Sequence, residues 1–284
     1  MPSASAPDRA AFTAAYDAAV AAWPIAPSQL DVPTPFGSTH VLAVGNPAAP
    51  PVVLLPGGGA TATVWSATAA TLAPAHRVYA VDTIGDVGRS GLGRRRPRRP
   101  ADLAAWFAAL LDGLDAAWVG LVGHSYGGWV ATTCALAVAD RVGRLALLDP
   151  TDVFAGLAPA YLAHALPLLV RPSPARAQAL LRWETGPNPP PPLWARVYAT
   201  GTVVGPSAIV RPRRPSAATL STLAPPTLVV LAGESRAHDP ARIAEQAPRR
   251  LPAAEVAVLP GVSHHGMPLV RSAELDAMLV PFLA

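Results

Sequence analysis

Lysine is absent from the 284 residues, and all 22 basic side chains are arginine. That excludes Schiff-base chemistry on a lysine amine. Together with abundant alanine and 34 prolines, it suggests codon bias from a GC-rich genome. Cysteine occurs once, at Cys134, so no intramolecular disulfide can form and a small buried core residue is expected there. Charged residues are scarce at 14% against 51% hydrophobic, which excludes disorder across the whole chain and leaves ample material for a core. No apolar run approaches the roughly 20 residues needed to span a bilayer. The segment from Asp8 to Trp23 lacks both the basic leader and the unbroken apolar centre of a signal peptide. A soluble, cytoplasmic protein that does not engage membranes is expected. The net charge is +4, but five of the arginines crowd into Arg94 to Arg99, and one local cluster does not predict a nucleic-acid partner.

What is present is a rhythm of strand and helix. Phe12, Tyr16, Ala19 and Trp23 recur at helical spacing before Pro24, and pack on the outside of a sheet. Leu30 to Pro33 and Thr39 to Val44 read as two strands of a hairpin-like opening; His40, in the second, reads as a surface or satisfied residue. Val52 to Leu55, Arg77 to Val81, Trp118 to Val122, Arg144 to Asp149, Thr227 to Ala232 and Val256 to Leu259 are further apolar strands. Helical spacing lies between most of them, as in Leu103, Trp106, Leu110 and Leu114. This alternation predicts an α/β class protein with a doubly wound, mostly parallel sheet whose site lies at the carboxyl ends of the strands. From Thr151 to about Leu223 the rhythm breaks: Ala158 to Leu169 and Ala175 to Trp183 read as helices with no strand between them, among aromatics and prolines.

The segment Leu121-Val122-Gly123-His124-Ser125-Tyr126-Gly127-Gly128 joins a strand directly to a helix through Gly-x-Ser-x-Gly. So tight a turn needs glycines at 123 and 127, and it thrusts the Ser125 hydroxyl above the sheet. This segment resembles the nucleophile elbow of the α/β-hydrolase fold superfamily, in its serine-hydrolase branch. Pro56-Gly57-Gly58-Gly59, after the strand Val52 to Leu55, resembles the superfamily's oxyanion loop, with Pro56 where most members carry histidine. Gly261-Val262-Ser263-His264 is similar to its histidine turn after the last strand, and Asp82 to Ser90 to a loop that shapes the pocket wall, where Asp82 would hold the turn through backbone amides. The resemblance extends over nearly the whole chain.

It implies one hydrolase core formed by residues 1–150 and 224–284, with 151–223 inserted as a helical cap in which Trp183, Trp194 and Tyr198 would line the substrate pocket. A serine hydroxyl needs a base within hydrogen-bond reach, itself oriented by a third group. The superfamily order of nucleophile, acid and histidine assigns Ser125, Asp239 and His264, and the amides of Gly58 and Tyr126 would bind the oxyanion. Asp149 and Glu234 are the alternatives for the acid, and His265 for the base. No cofactor or metal is implied, since the histidines are scattered among different loops without the paired spacing of a zinc site. Serine as nucleophile favours hydrolysis of carboxylic esters, thioesters or lactones with an apolar portion. Acyl transfer, carbon–carbon bond hydrolysis, prolyl aminopeptidase activity and non-catalytic ligand binding are the alternatives. Nothing in the chain specifies the oligomeric state or the role of the arginine cluster.

Overall fold

The computed structural model describes residues 4–205, 208–269 and 273–284. Nine strands form one sheet: β1 Ser28–Thr34, β2 Gly37–Val44, β3 Pro51–Leu55, β4 Arg77–Val81, β5 Gly91–Leu92, β6 Val119–His124, β7 Val142–Leu148, β8 Thr227–Ala232 and β9 Glu255–Leu259. They lie in the order β1-β2-β4-β3-β6-β7-β8-β9, with β5 paired to β2. β2 runs antiparallel to β1, β4 and β5, and every pairing from β4 through β9 is parallel. The expected doubly wound sheet is therefore observed. The helices are α1 Ala6–Ala21, α2 Ser66–Leu72, α3 Pro100–Gly113, α4 Tyr126–Ala137, α5 Pro159–Val170, α6 Pro174–Thr185, α7 Pro192–Val204, α8 Ala217–Leu220, α9 Pro240–Arg250 and α10 Ala273–Leu283.

The central strands are near-continuous apolar runs because both of their faces are covered, and every residue of β6 and β8 is buried. Successive side chains still alternate between faces. Leu54, Val122, Ala146, Leu148 and Val230 join the cluster that includes α1, α2 and α10, whereas Val53, Leu55, Leu121, Leu147 and Val229 join the one that includes α3, α4 and α9. Cys134 is buried in the second cluster. So is Trp106, which donates from its indole nitrogen to Thr39 Oγ1 at 2.8 Å and thereby fixes α3 on β2.

Two details depart from the sequence reading. α1 packs against α7 as well as over the sheet edge: Phe12 lies beside Gly201, and the Tyr16 hydroxyl donates to Asp82 at 3.1 Å. Between β7 and β8 lie four helices where two were expected; α7 begins at the last residue of the run Pro189 to Pro192, with proline in the first turn where its missing N–H costs nothing. No strand lies between β7 and β8 among the described residues, and residues 206 and 207 of this stretch are outside the description.

The arginine cluster serves local structure in part. Asp102, in the first turn of α3, accepts from the amides of Arg98 and Arg99 at 3.0 and 3.2 Å and from the Arg95 guanidinium at 3.1 Å. Arg95 also lies over the Phe36 ring. No helix among the described residues is long and apolar enough to cross a membrane.

Replacing Trp106 by alanine removes a fully buried indole and leaves Thr39 without its donor. Urea denaturation of Trp106→Ala should give a loss of about 3–5 kcal/mol in unfolding free energy, with the denaturant slope unchanged.

Candidate active site

β6 runs into a turn whose geometry explains its glycines. Ser125 sits at φ 52° and ψ −119°, a region that L-residues avoid and whose occupation costs on the order of 1–3 kcal/mol. A Cβ on Gly123 would lie 2.3 Å from the Gly127 carbonyl oxygen, and one on Gly127 would lie 2.3 Å from that of Leu55. With only glycine at both places, α4 starts at Tyr126 and the Ser125 hydroxyl stands at the carboxyl end of the sheet.

The loop after β9 brings His264 to it. His264 Nε2 lies 2.8 Å from Ser125 Oγ, and His264 Nδ1 lies 2.6 Å from Asp149 Oδ2. A carboxylate can only accept, so Nδ1 carries the hydrogen, and Nε2 of the neutral ring accepts from the serine hydroxyl. Asp149, the residue after β7, also accepts from Ser235 Oγ at 2.8 Å and from the Ala232 amide at 3.3 Å.

The expected partner Asp239 is elsewhere. It is exposed, and its carboxylate accepts from the Arg242 amide at 3.0 Å as the N-cap of α9. An aspartate immediately before Pro240 and a helix is drawn to that helix's unpaired amides, which turns it away from His264. Glu234 is also exposed. His265 does not face Ser125 either; its Nδ1 lies 3.0 Å from Glu184 Oε2.

The sequence reading did not anticipate how many other groups converge here. Four of the seven histidines, from three separate stretches of the chain, meet at the site: the His264 ring lies 4.8 Å from that of His124, 5.3 Å from His238 and 5.2 Å from the adjacent His265. His124 Nε2 donates to the His264 carbonyl at 2.9 Å. Thr151 Oγ1 is 3.0 Å from Ser125 Oγ and 3.3 Å from His238 Nε2, while His238 Nδ1 is 3.3 Å from the Gly156 carbonyl. Asp149, His238 and His264 could together offer a metal three ligand atoms within 4.8 Å of one another. Here the Asp149 and His264 atoms are bonded to each other.

On the other side lies the glycine loop. A Cβ on Gly57 would approach Ser125 Cβ to 3.2 Å, and one on Gly58 would approach Tyr126 Cβ to 3.5 Å, so the glycine loop passes close to Ser125 and Tyr126. Neither amide donates to a protein acceptor among the described residues. Trp194 and Tyr198 of α7 are buried and stacked at 5.3 Å, facing His265 at 6.4 and 5.6 Å. Trp183 is farther out and half-buried, sandwiched between His164 and Arg236. Tyr161 of α5, another aromatic of the stretch between β7 and β8, makes a T-shaped contact with the His264 ring at 6.3 Å.

Residues 52–277 match the sequence pattern of the Alpha/beta hydrolase family. The chain belongs to that family. The carboxylesterase YbfK of Bacillus subtilis (strain 168) is 34% identical over 176 residues, which are 62% of this chain and 58% of that protein; the chain thus matches less than two thirds of the curated relative's length. The crystal structure of carboxylesterase CesB (YbfK) from Bacillus subtilis superposes with a TM-score of 0.90 at 25% identity, covering 98% of this chain and 99% of the other. That of naproxen esterase (carboxylesterase NP) from Bacillus subtilis gives 0.88 at 24% identity, with both chains covered fully.

In this alpha/beta hydrolase, electrostatics distinguishes the buried groups sharply. Burial pushes the Asp149 carboxyl up, but the bond to His264, the charges of His264 and His238, and Ser235 outweigh it and hold the group at about 2. Its contribution to stability is therefore complete above its ordinary 3.8 and is lost as pH falls through about 2. Burial lowers His264, and the Asp149 bond with the charges of Asp149 and Glu184 more than reverses this, leaving it above its ordinary value. His124 and His238 are held down, chiefly by burial. Asp86, whose carboxylate accepts from the amides of Gly59 at 3.1 Å and Val87 at 2.7 Å, is pushed up by burial to about 6.

Because Asp149, and not Asp239, is bonded to the His264 ring, Asp149→Asn should slow covalent labelling of the protein by a fluorophosphonate by about 10⁴-fold. Asp239→Asn should label at the wild-type rate. Intact-mass kinetics on the two variants checks this; the reverse order would return the acid to the α9 cap.

Proposed function

We propose that this chain is a serine hydrolase of carboxylic esters, thioesters or lactones working through an acyl-enzyme on Ser125. The observation that carries the proposal is the bonded series from Ser125 Oγ to His264 at 2.8 Å and from His264 to Asp149 at 2.6 Å, on a strained strand-to-helix turn. The likeness to proteins named carboxylesterases supports it.

Ser125 Oγ attacks the ester carbonyl carbon as His264 Nε2 takes its hydrogen. Asp149 holds the ring in the tautomer that leaves Nε2 free to accept, and its charge stabilises the imidazolium as it forms. The negative charge on the carbonyl oxygen falls to the amides of Gly58 and Tyr126, the latter at the amino end of α4 where the helix dipole adds to the attraction. When the tetrahedral intermediate collapses, the bond to the leaving oxygen breaks and His264 supplies its proton. Water then adds to the acyl carbon, its proton passing to His264 and on to Ser125, and the carboxylic acid is released. Every step is carried by side chains and amides of this chain.

Residues 151–223 form a cap over a hydrolase core of residues 1–150 and 224–284. Trp194 and Tyr198, with Tyr161, give that cap an apolar aromatic wall toward the histidine turn, which suits a small ester with an apolar portion. Trp183 makes its stacking contacts with His164 and Arg236 at a half-exposed position, and contributes to the wall only through Tyr161.

Ser125→Ala should lower turnover of p-nitrophenyl butyrate by at least about 10³-fold with its melting temperature no lower than wild type, because the strained residue contributes no packing that alanine lacks. Full activity in a folded Ser125→Ala would refute the proposal. In the wild-type protein kcat/KM should rise as His264 loses its proton, with the midpoint above 6.5 since the group is held above that value. Trp194→Ala should change the preference among p-nitrophenyl esters of different acyl length more than it changes turnover of the acetate, whereas Trp183→Ala should leave that preference near wild type.

A further inference from the structure

Glu184 carries a fully buried carboxylate that the steps above do not use. It sits in the last turn of α6, between β7 and β8, yet all its bonds reach the loop after β9. Oε1 accepts from the His264 amide at 2.8 Å; Oε2 accepts from the His265 amide at 3.1 Å and from His265 Nδ1 at 3.0 Å. Two successive buried amides turned the same way need an acceptor, and one side chain from a different part of the chain supplies it.

We propose that Glu184 is a positioning residue: its carboxylate fixes the main chain of His264 and His265, thereby setting the His264 ring against Ser125, and places a second negative charge beside that ring. This rests on the reading of Ser125 and His264 as nucleophile and base. Asp149 grips the ring from the end of β7, and Glu184 grips the backbone of the same residue from α6. His264 is therefore held from two sides, and a shift of α6 is transmitted to the base. His265 acts as the second strut; its ring stacks on Tyr161 at 6.3 Å and meets Tyr198 at 5.6 Å, so the cap aromatics rest on the same clamp.

The charge effect can be assigned because the other groups around His264 are known. Asp149 faces it from β7, His124 from β6, His238 from the loop before α9, Tyr161 from α5, and His265 from the adjacent position. Burial holds the His124 and His238 pKa values down and raises that of Tyr161, and the negative charges that raise His264 are those of Asp149 and Glu184. Burial pushes Glu184 up, but its bond to His265 and the neighbouring histidines bring it below its ordinary value, so it stays ionised across the working range of an imidazole. Removing that charge lowers the proton affinity of His264.

The test compares Glu184→Gln and Glu184→Asp with wild type on p-nitrophenyl butyrate across the imidazole titration. Glu184→Gln should move the rising limb of kcat/KM to lower pH by about half a unit or more and lower the plateau kcat by roughly tenfold through the loosened ring. Glu184→Asp keeps the charge and loses reach, so its limb should stay in place while kcat falls. A limb and kcat both at wild-type values in Glu184→Gln, or a fall in melting temperature with neither moved, would reduce Glu184 to a structural anchor. If Glu184→Gln does not fold, Glu184→Asp decides, and unchanged kcat overturns the proposal. NMR titration of the His264 ring in Ser125→Ala, with and without Glu184→Gln, reads the charge without turnover. A wild-type protein inactive on esters would therefore count against the ester hydrolase reading, while the ring titration would still test the clamp.

Discussion

A charged carboxylate held away from water at the carboxyl end of the sheet is the constraint on which the site depends. Asp149 is fully buried and ionised, and an unpaired charge there would cost several kcal/mol. It is stable because three neighbours converge on it: the His264 ring, the Ser235 hydroxyl and the Ala232 amide. Ala232 and Ser235 come from the end of β8 and the turn after it, and His264 from the loop after β9, so the pairing of β7 with β8 and of β8 with β9 must be in register before the charge is satisfied. The Asp149 amide donating to the Val230 carbonyl at 2.7 Å ties the residue into that register.

The same convergence explains which features were legible in the sequence. Local physics specifies the elbow, because Gly123 and Gly127 are required by backbone contacts within the turn and the residues beside it, and the pattern can be read from adjacent positions. Arg77–Val81 and Thr227–Ala232 were legible as strands since burial on both faces demands unbroken apolar runs. Gly58, beside Tyr126, was placed by its loop alone. The acid was not legible in this way. Asp239 and Asp149 both follow a strand, and choosing between them depends on which side of β8 the His264 ring leans, a tertiary fact; the one local signal was Pro240, which marks Asp239 as a helix cap.

Glu184 and His238 illustrate a second limit. In sequence, Glu184 is an ordinary charged residue in an amphipathic helix, and His238 a histidine in a polar loop. Their burial follows from how the stretch between β7 and β8 folds back over the sheet ends, and helical spacing does not encode that. The third helix of the stretch, α7, was obscured by the prolines before it, although proline in the first turn is a favourable start. Trp194 and Tyr198 consequently stand on a helical face, one turn apart.

The contacts around Thr151 can also be counted in hydrogens. Four links run in series: Gly156 carbonyl to His238 Nδ1, His238 Nε2 to Thr151, Thr151 to Ser125, and Ser125 to His264 Nε2. With His238 neutral, that ring, Thr151 and Ser125 bring one hydrogen each, so the series is one hydrogen short and one link is a contact between two acceptors. The 3.3 Å separations on both sides of His238 place the shortfall there. With Ser125 donating to His264 Nε2 and the shortfall beside His238, the Thr151 hydroxyl donates to Ser125 Oγ in the resting site. Ser125 thus keeps one accepted hydrogen bond while its own hydrogen passes to His264 and its oxygen bonds to the carbonyl carbon.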